Sequence, residues 1–199
     1  MAASTASSGA AAGGGATTGP IRVLCLGNEL IADDGLGIVA ARSLFQRLAL
    51  AGTPALPGPS FDPALTVRAF ELPRVGPVEV VETALTGMYL LEAVVGASRL
   101  IVVDTVVTGT TDSGTVLELK ESDLAGPRGG SPHYIGLLET LDVARALDLD
   151  VPADVVIIAV EAGDYKTVGG DMTAPVEAAV PVVVERTMAL IQGGAAVPA

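Results

Sequence analysis

The chain has 199 residues, with 23 Asp+Glu against 11 Lys+Arg, one His, one Cys and no Trp, for a formal charge of −12. With 50% hydrophobic and 17% charged residues it is too apolar for a disordered chain, and its length suits one domain with a real core. The negative charge, without any Lys/Arg cluster, argues against nucleic acid and anionic membrane as partners. A lone cysteine makes no internal disulfide, and one His with one Cys makes no four-ligand structural zinc site; both facts agree with a cytoplasmic protein.

Positive hydropathy comes from Ala and Val spread along the chain rather than from one long apolar block, so no transmembrane helix is expected. Residues 1–20 are Ala, Gly, Ser and Thr almost throughout and lack the basic start and leucine-rich stretch of a secretory signal, so they read as a flexible tail. Ile21-Arg22-Val23-Leu24-Cys25-Leu26 is an apolar run that ends in Gly27-Asn28, the form of a buried parallel strand followed by a turn. From about Asp34 to Leu50 the apolar residues Ile38, Ala41, Phe45 and Leu48 recur at helical spacing.

Between Ala51 and Pro77 stand six prolines, which predicts an inserted loop without a long regular element. Val78–Glu82 reads as a second strand, and Thr86 as the cap of a helix through Met88, Leu91 and Val95 that stops at Gly96. Arg99–Asp104 is apolar enough for a central strand, whereas Thr115–Leu119 alternates like an edge strand. Ser131-Pro132 predicts a helix start, with Leu137, Leu141 and Ala144 as the inner stripe. Asp154–Val160 is a further strand. Thr173 opens a last helix with Val176, Val180, Val183, Thr187 and Leu190 on one face, which Pro181 should kink.

Strands that alternate with helices predict an α/β fold, a single-domain three-layer α/β/α sandwich around a twisted, mostly parallel sheet of about five strands. The domain is expected over residues 21–192, with 193–199 as a flexible C-terminus.

Ligand sites in such sheets lie beyond the carboxyl ends of the strands. Asp33 and Asp34 after the first strand, Asp104 at the end of the central one and His133 at a helix start all fall there. Asp34, Asp104 and His133 are a usable set of two carboxylates and one imidazole for a divalent metal, with positions left for substrate or water. Helix capping is the alternative for Asp34, and simple solvation the alternative for His133. Asp104 closes a run of apolar residues where a carboxylate costs desolvation, which favours a functional role.

Competing motifs are weaker. Gly35-Leu36-Gly37-Ile38-Val39-Ala40 matches the dinucleotide fingerprint G-x-G-x-x-A, but two aspartates directly before it would repel a pyrophosphate. There is no nucleophile elbow and no phosphate-binding Gly-rich loop with Lys. Cys25 reads as a buried inert thiol and Ser131 as a helix cap, so no hydrolase triad is assembled.

Leu26-Gly27-Asn28-Glu29-Leu30-Ile31-Ala32-Asp33-Asp34-Gly35-Leu36-Gly37 resembles the opening G-N-x-L-x-x-D-[DE]-G-x-G signature of the nickel-iron hydrogenase maturation endopeptidases. Leu100-Ile101-Val102-Val103-Asp104-Thr105 resembles that family's central strand, and Ser131-Pro132-His133-Tyr134-Ile135-Gly136-Leu137 its S-P-H-x-x-G-L segment. The order and intervals agree, over about Ile21 to Ile191. The resemblance implies an endopeptidase that removes the C-terminal peptide from the nickel-loaded precursor of a NiFe hydrogenase large subunit. It implies Asp34, Asp104 and His133 as both catalytic and metal-binding residues, nickel supplied by the precursor as cofactor and no separate nucleophile; a cytoplasmic monomer is expected. A non-catalytic nickel-binding chaperone or scaffold is the alternative. The sequence departs from the family pattern at Glu82-Thr83, where aspartate and glycine are usual, and in its longer Pro-rich stretch.

Overall fold

Residue-by-residue alternation along the apolar strands gives the sheet two buried faces, and each face takes its own helices. The computed structural model of the chain describes residues 19–57, 62–124 and 132–194, less the side chains of 124 and 132–135. In chain order the elements are β1 (Ile21–Leu26), a 3-10 turn (Asp33–Gly35), α1 (Leu36–Ala51), β2 (Thr53–Ala55), β3 (Thr66–Leu72) and β4 (Gly76–Thr83). A 3-10 turn (Gly87–Leu90) then runs into α2 (Leu91–Val94), followed by β5 (Arg99–Val106), β6 (Val116–Lys120), α3 (Glu121–Leu124), α4 (Pro132–Ala146), β7 (Val155–Glu161) and α5 (Ala174–Ile191).

These strands form one sheet of seven in the order β2-β3-β4-β1-β5-β7-β6. The pairs β4–β1, β1–β5 and β5–β7 are parallel, and the outer pairs β2–β3, β3–β4 and β6–β7 antiparallel. Val23, Cys25, Val80, Ile101, Val103, Val156 and Ile158 pack under α1 and α5. Their neighbours Leu24, Leu26, Val81, Leu100, Val102 and Ile157 pack under α2 and α4. The α/β/α sandwich is thus as expected, with β5 central and β6 at an edge.

The sheet has seven strands rather than about five, because the stretch from Ala51 to Pro77 is not a plain loop. It holds β2, β3 and the start of β4. The prolines are placed where a missing N–H costs little: Pro54 in the outermost strand, Pro73 in the turn between β3 and β4, and Pro77 near the start of β4. Between them Val67-Arg68-Ala69-Phe70 has no proline, and Phe70 and Leu72 are buried against α1 and β4.

The helix after Thr86 stops at Gly96 as expected but is shorter than expected. The segment after Thr86 makes a 3-10 turn and one turn of α-helix, closed by Gly96 at φ 77°, where a left-handed residue is needed. α5 runs through Pro181 without a break in the element, and Gly193 and Gly194 belong to its cap, since their N–H groups donate to the Leu190 and Ala189 carbonyls. At the other end, the Pro20 carbonyl accepts from the Ser98 N–H, so the sheet takes hold of the chain just before Ile21. Residues 1–18 and 195–199, the bulk of the two expected tails, lie outside the described residues.

Arg22 on β1 and Glu79 on β4 make a buried ion pair, Nη2 to Oε2 at 2.7 Å, while Nη1 donates to the Val95 carbonyl at 2.8 Å. The guanidinium thereby closes the C-terminal end of α2 from the sheet face on which that helix lies. Glu79→Ala would leave that cation buried without its counter-charge and is expected to destabilise the fold by about 3–5 kcal/mol, measured by urea denaturation. A cost below about 1 kcal/mol would show that solvent reaches Arg22.

Candidate functional site

The loop after β1 is closed on itself by its own signature residues. Asn28 Oδ1 accepts from the Leu30 N–H at 3.0 Å, and the Asn28 N–H donates to the Asp34 carbonyl at 3.0 Å. Two glycines allow this. A Cβ on Gly27 would lie 2.2 Å from the Asp34 carbonyl oxygen, and one on Gly37 only 1.9 Å from that of Leu26. Gly37 therefore serves close packing of α1 on β1, the helix–strand contact that a dinucleotide fingerprint also needs, but with Asp33 and Asp34 in place of a phosphate cradle.

Asp34 is half-buried in the 3-10 turn and makes no side-chain cap on α1, whose N-cap is Gly35, so capping does not explain it. Its Oδ1 accepts a long hydrogen bond from the Thr105 hydroxyl at 3.4 Å. Asp104, fully buried at the end of β5, accepts from the Thr105 N–H through Oδ1 at 2.7 Å. One residue therefore touches both carboxylates. Thr105 carried no signal in the sequence, because its contact with Asp34 joins residues 71 positions apart.

Strand alternation puts Asp104 on the face of Leu100 and Val102, the face covered by α4. Pro132 is the first residue of α4, as expected, so the backbone of His133 lies in that helix's opening turn; its side chain is outside the described residues, as is Ser131. α4 is clasped to the loop after β4. A Cβ on Gly136 would lie 2.6 Å from the Gly87 nitrogen, and the Thr140 hydroxyl donates to the Gly87 carbonyl at 2.8 Å. Gly136→Ala is expected to push the His133 turn off Gly87, costing about 1–3 kcal/mol and lowering peptidase activity with it. Denaturation and turnover measured on the same preparation check this; unchanged turnover would show that the first turn of α4 has room to move.

Among the described residues no group of three His, Cys, Asp or Glu is close enough to hold a metal ion. The imidazole of His133 is outside that set; what the structure shows is Thr105 in contact with both Asp34 and Asp104, and the helix of His133 on the face of Asp104.

Three other polar groups at this edge have structural partners. Glu82 lies on the α1 face of β4, where its carboxylate pairs with Arg42 at 3.3 Å, and Arg42 in turn grips Glu29 at 2.6 Å. Glu161, buried at the end of β7, accepts from the N–H groups of Thr108 and Gly109 and from the Thr108 hydroxyl. Asp33, fully buried, turns to the loop after β7. Burial pushes the Cys25 thiol far above its ordinary range, with the Glu82 charge adding to the shift, so it stays protonated and inert.

The hydrogenase maturation protease family model matches residues 67–190, well over half of the chain. The chain belongs to the hydrogenase maturation protease family. It is accordingly a peptidase, a hydrolase of the peptide bond, with a part in hydrogenase maturation. The hydrogenase expression/formation protein HupD of Rhizobium leguminosarum bv. viciae is 27% identical over 183 residues, covering 90% of this chain and 78% of that protein. The hydrogenase maturating endopeptidase HybD of E. coli superposes with a TM-score of 0.65 at 22% identity, over 87% of this chain and 93% of that one. The [NiFe] hydrogenase maturation protease HybD of Thermococcus kodakarensis gives 0.62 at 20% identity, over 86% and 99%. These two likenesses carry the fold; the family rests on the match over residues 67–190. No helix among the described residues is long and apolar enough to cross a membrane.

Proposed function

We propose that this maturation protease removes the C-terminal peptide from the precursor of a NiFe hydrogenase large subunit after nickel insertion, and that the precursor's own nickel is what it recognises. The observation that supports the reading is the contact of Thr105 with both Asp34 and Asp104 at the carboxyl edge of the sheet, on which the helix of His133 also opens. Two carboxylates and an imidazole suit a borderline divalent cation and leave positions for the ligands the precursor brings.

In this reading nickel arrives as part of the substrate. Asp34, Asp104 and His133 complete its coordination and so anchor the precursor's tail beside the sheet edge. A peptide carbonyl or water beside the metal is then polarised for hydrolysis, in which one water adds across the C–N bond and leaves a carboxylate and an amine. Selectivity follows from the same geometry: a precursor without metal gives the three side chains nothing to hold. The enzyme would act where the precursor is assembled, in the cytoplasm, as a monomer.

Incubation with nickel-loaded and nickel-free precursor tests this directly. The loaded form is expected to yield the shortened subunit and the free form none. Tight binding of the loaded precursor without cleavage would leave the chaperone reading in its place. His133→Ala is expected to abolish high-affinity Ni²⁺ or Cd²⁺ binding in calorimetry with the fold intact; parental affinity would remove His133 from the ligand set.

A further inference from the structure

Asp33 accepts four hydrogen bonds at this edge of the sheet, and none of these comes from Asp34, Thr105 or Asp104. Its Oδ2 accepts from the N–H groups of Gly163 at 2.7 Å and Asp164 at 2.6 Å and from the Thr173 hydroxyl at 3.0 Å, and its Oδ1 accepts from the Thr173 N–H at 2.7 Å. The residue is 0% exposed. Its backbone joins the same connection: the Asp33 N–H donates to the Asp164 carbonyl, the Ala32 N–H to Thr167 and the Gly169 N–H to Leu30. A bridge between Ile31 and Val168 completes a short antiparallel ladder between the loop after β1 and the loop after β7.

A carboxylate that accepts this many N–H and O–H bonds holds its surroundings far more firmly than a loop backbone could by itself. Asp33 also sits at the N-terminus of α5, where Thr173 is the N-cap residue but spends its hydroxyl on Asp33 rather than on the helix. The negative charge at that end is favourable to the helix dipole. The segment that carries Asp34 is thus fixed at one side by Asn28, at the other by Thr105, and from behind by the loop after β7 and the start of α5.

We infer that Asp33 is a positioning residue: it fixes the Asp34 carboxylate for the substrate's metal by locking the loop after β1 onto the N-terminal end of α5. The inference rests on Asp34 being a residue that meets that metal. Site geometry of this kind tolerates displacements of only about half an ångström before function falls, which gives such a lock its value.

The variant that reads it is Asp33→Asn, which keeps the volume and one acceptor but turns an NH₂ group toward N–H donors. Asp33→Asn is expected to keep its secondary structure and its binding of nickel-loaded precursor, while kcat falls about 10- to 100-fold and KM changes little. Amide exchange should quicken at Gly163, Asp164 and Asn28, whose N–H groups report the lock and the place of the Asp34 backbone. Glu161→Gln is the control, a buried carboxylate that holds another loop of the same edge without touching Asp34; it should lower the melting temperature yet keep kcat within about threefold. If Asp33→Asn keeps parental kcat, or if Glu161→Gln loses kcat in the same proportion to its melting temperature, the lock has no positioning role. If Asp33→Asn does not fold, Thr173→Val decides: a severalfold lower kcat with faster exchange at Asn28 supports the inference, and parental values of both overturn it. Should the parent cleave no precursor at all, the proposed function falls, while exchange at Asn28 still decides whether Asp33 fixes Asp34.

Discussion

Asp104→Asn is expected to fold normally and to lose precursor processing by at least about a hundredfold. The asparagine keeps the size of the side chain and an acceptor for the Thr105 N–H, so the end of β5 has no reason to move. The negative charge is lost, and with it most of the attraction for a divalent cation and the influence of the ligand on the basicity of a bound water. Because β5 is flanked by β1 and β7 and buried on both faces, the position of the carboxylate is set by the core rather than by an adjustable loop. Cleavage of nickel-loaded precursor, with circular dichroism and thermal melting on the same preparation, separates loss of chemistry from loss of fold. Near-parental cleavage would withdraw Asp104 from the site and leave its burial as a structural fact alone.

Gly37→Ala is expected to be a strongly damaging substitution in the fold, for the sake of a single methyl group. The added carbon would stand 1.9 Å from the Leu26 carbonyl oxygen and 3.1 Å from the Leu26 nitrogen, and neither is a flexible side-chain end that can swing aside. α1 has to back away from β1, and Leu36, Ala40 and Leu44 lose their packing under the sheet at the same time. A loss of about 3 kcal/mol or more follows, above the ordinary range for point substitutions. The midpoint of chemical denaturation measures it. Processing should fall with stability, since the same movement drags the turn of Asp34 away from Thr105. A stable Gly37→Ala protein would mean that the spacing between α1 and β1 is softer than the backbone contact implies.

Much of this architecture is legible in the residues. The bounds of β1 are legible because six apolar or half-buried residues end in a glycine that only a turn needs. The helix stripes were legible for the same reason: Ile38, Ala41, Phe45 and Leu48, or Leu137, Leu141 and Ala144, repeat at the helical period and are all buried. The stretch from Ala51 to Pro77 shows the limit of local rules. Prolines were read as a bar to regular structure, yet they mark the edge and turns of a β-hairpin whose apolar residues are held by β4 and α1. Whether a proline ends a strand depends on which N–H groups the neighbouring strand requires, and that partner is not in the local window. At the site, Asp34 and Asp104 stood out as carboxylates at strand ends, but Asp33 and Asp34 look alike in sequence. Only the fold sends one toward Thr105 and buries the other among the N–H groups of residues 163, 164 and 173.

Sequence alone determined the class of fold, the edge of the sheet on which the candidate residues stand and the family to which the three ordered motifs belong, because periodicity, turn residues and motif spacing are short-range properties of the chain. Tertiary structure decided the number and order of the strands, the pairing of Glu82 with Arg42, the contact of Thr105 with two carboxylates and the different partners of Asp33 and Asp34. The contacts of Glu82 with Arg42, of Asp34 with Thr105 and of Asp33 with Thr173 join residues 40, 71 and 140 positions apart. They follow from which strands lie side by side, and loop-closing contacts of that reach leave no pattern in the neighbourhood of either partner.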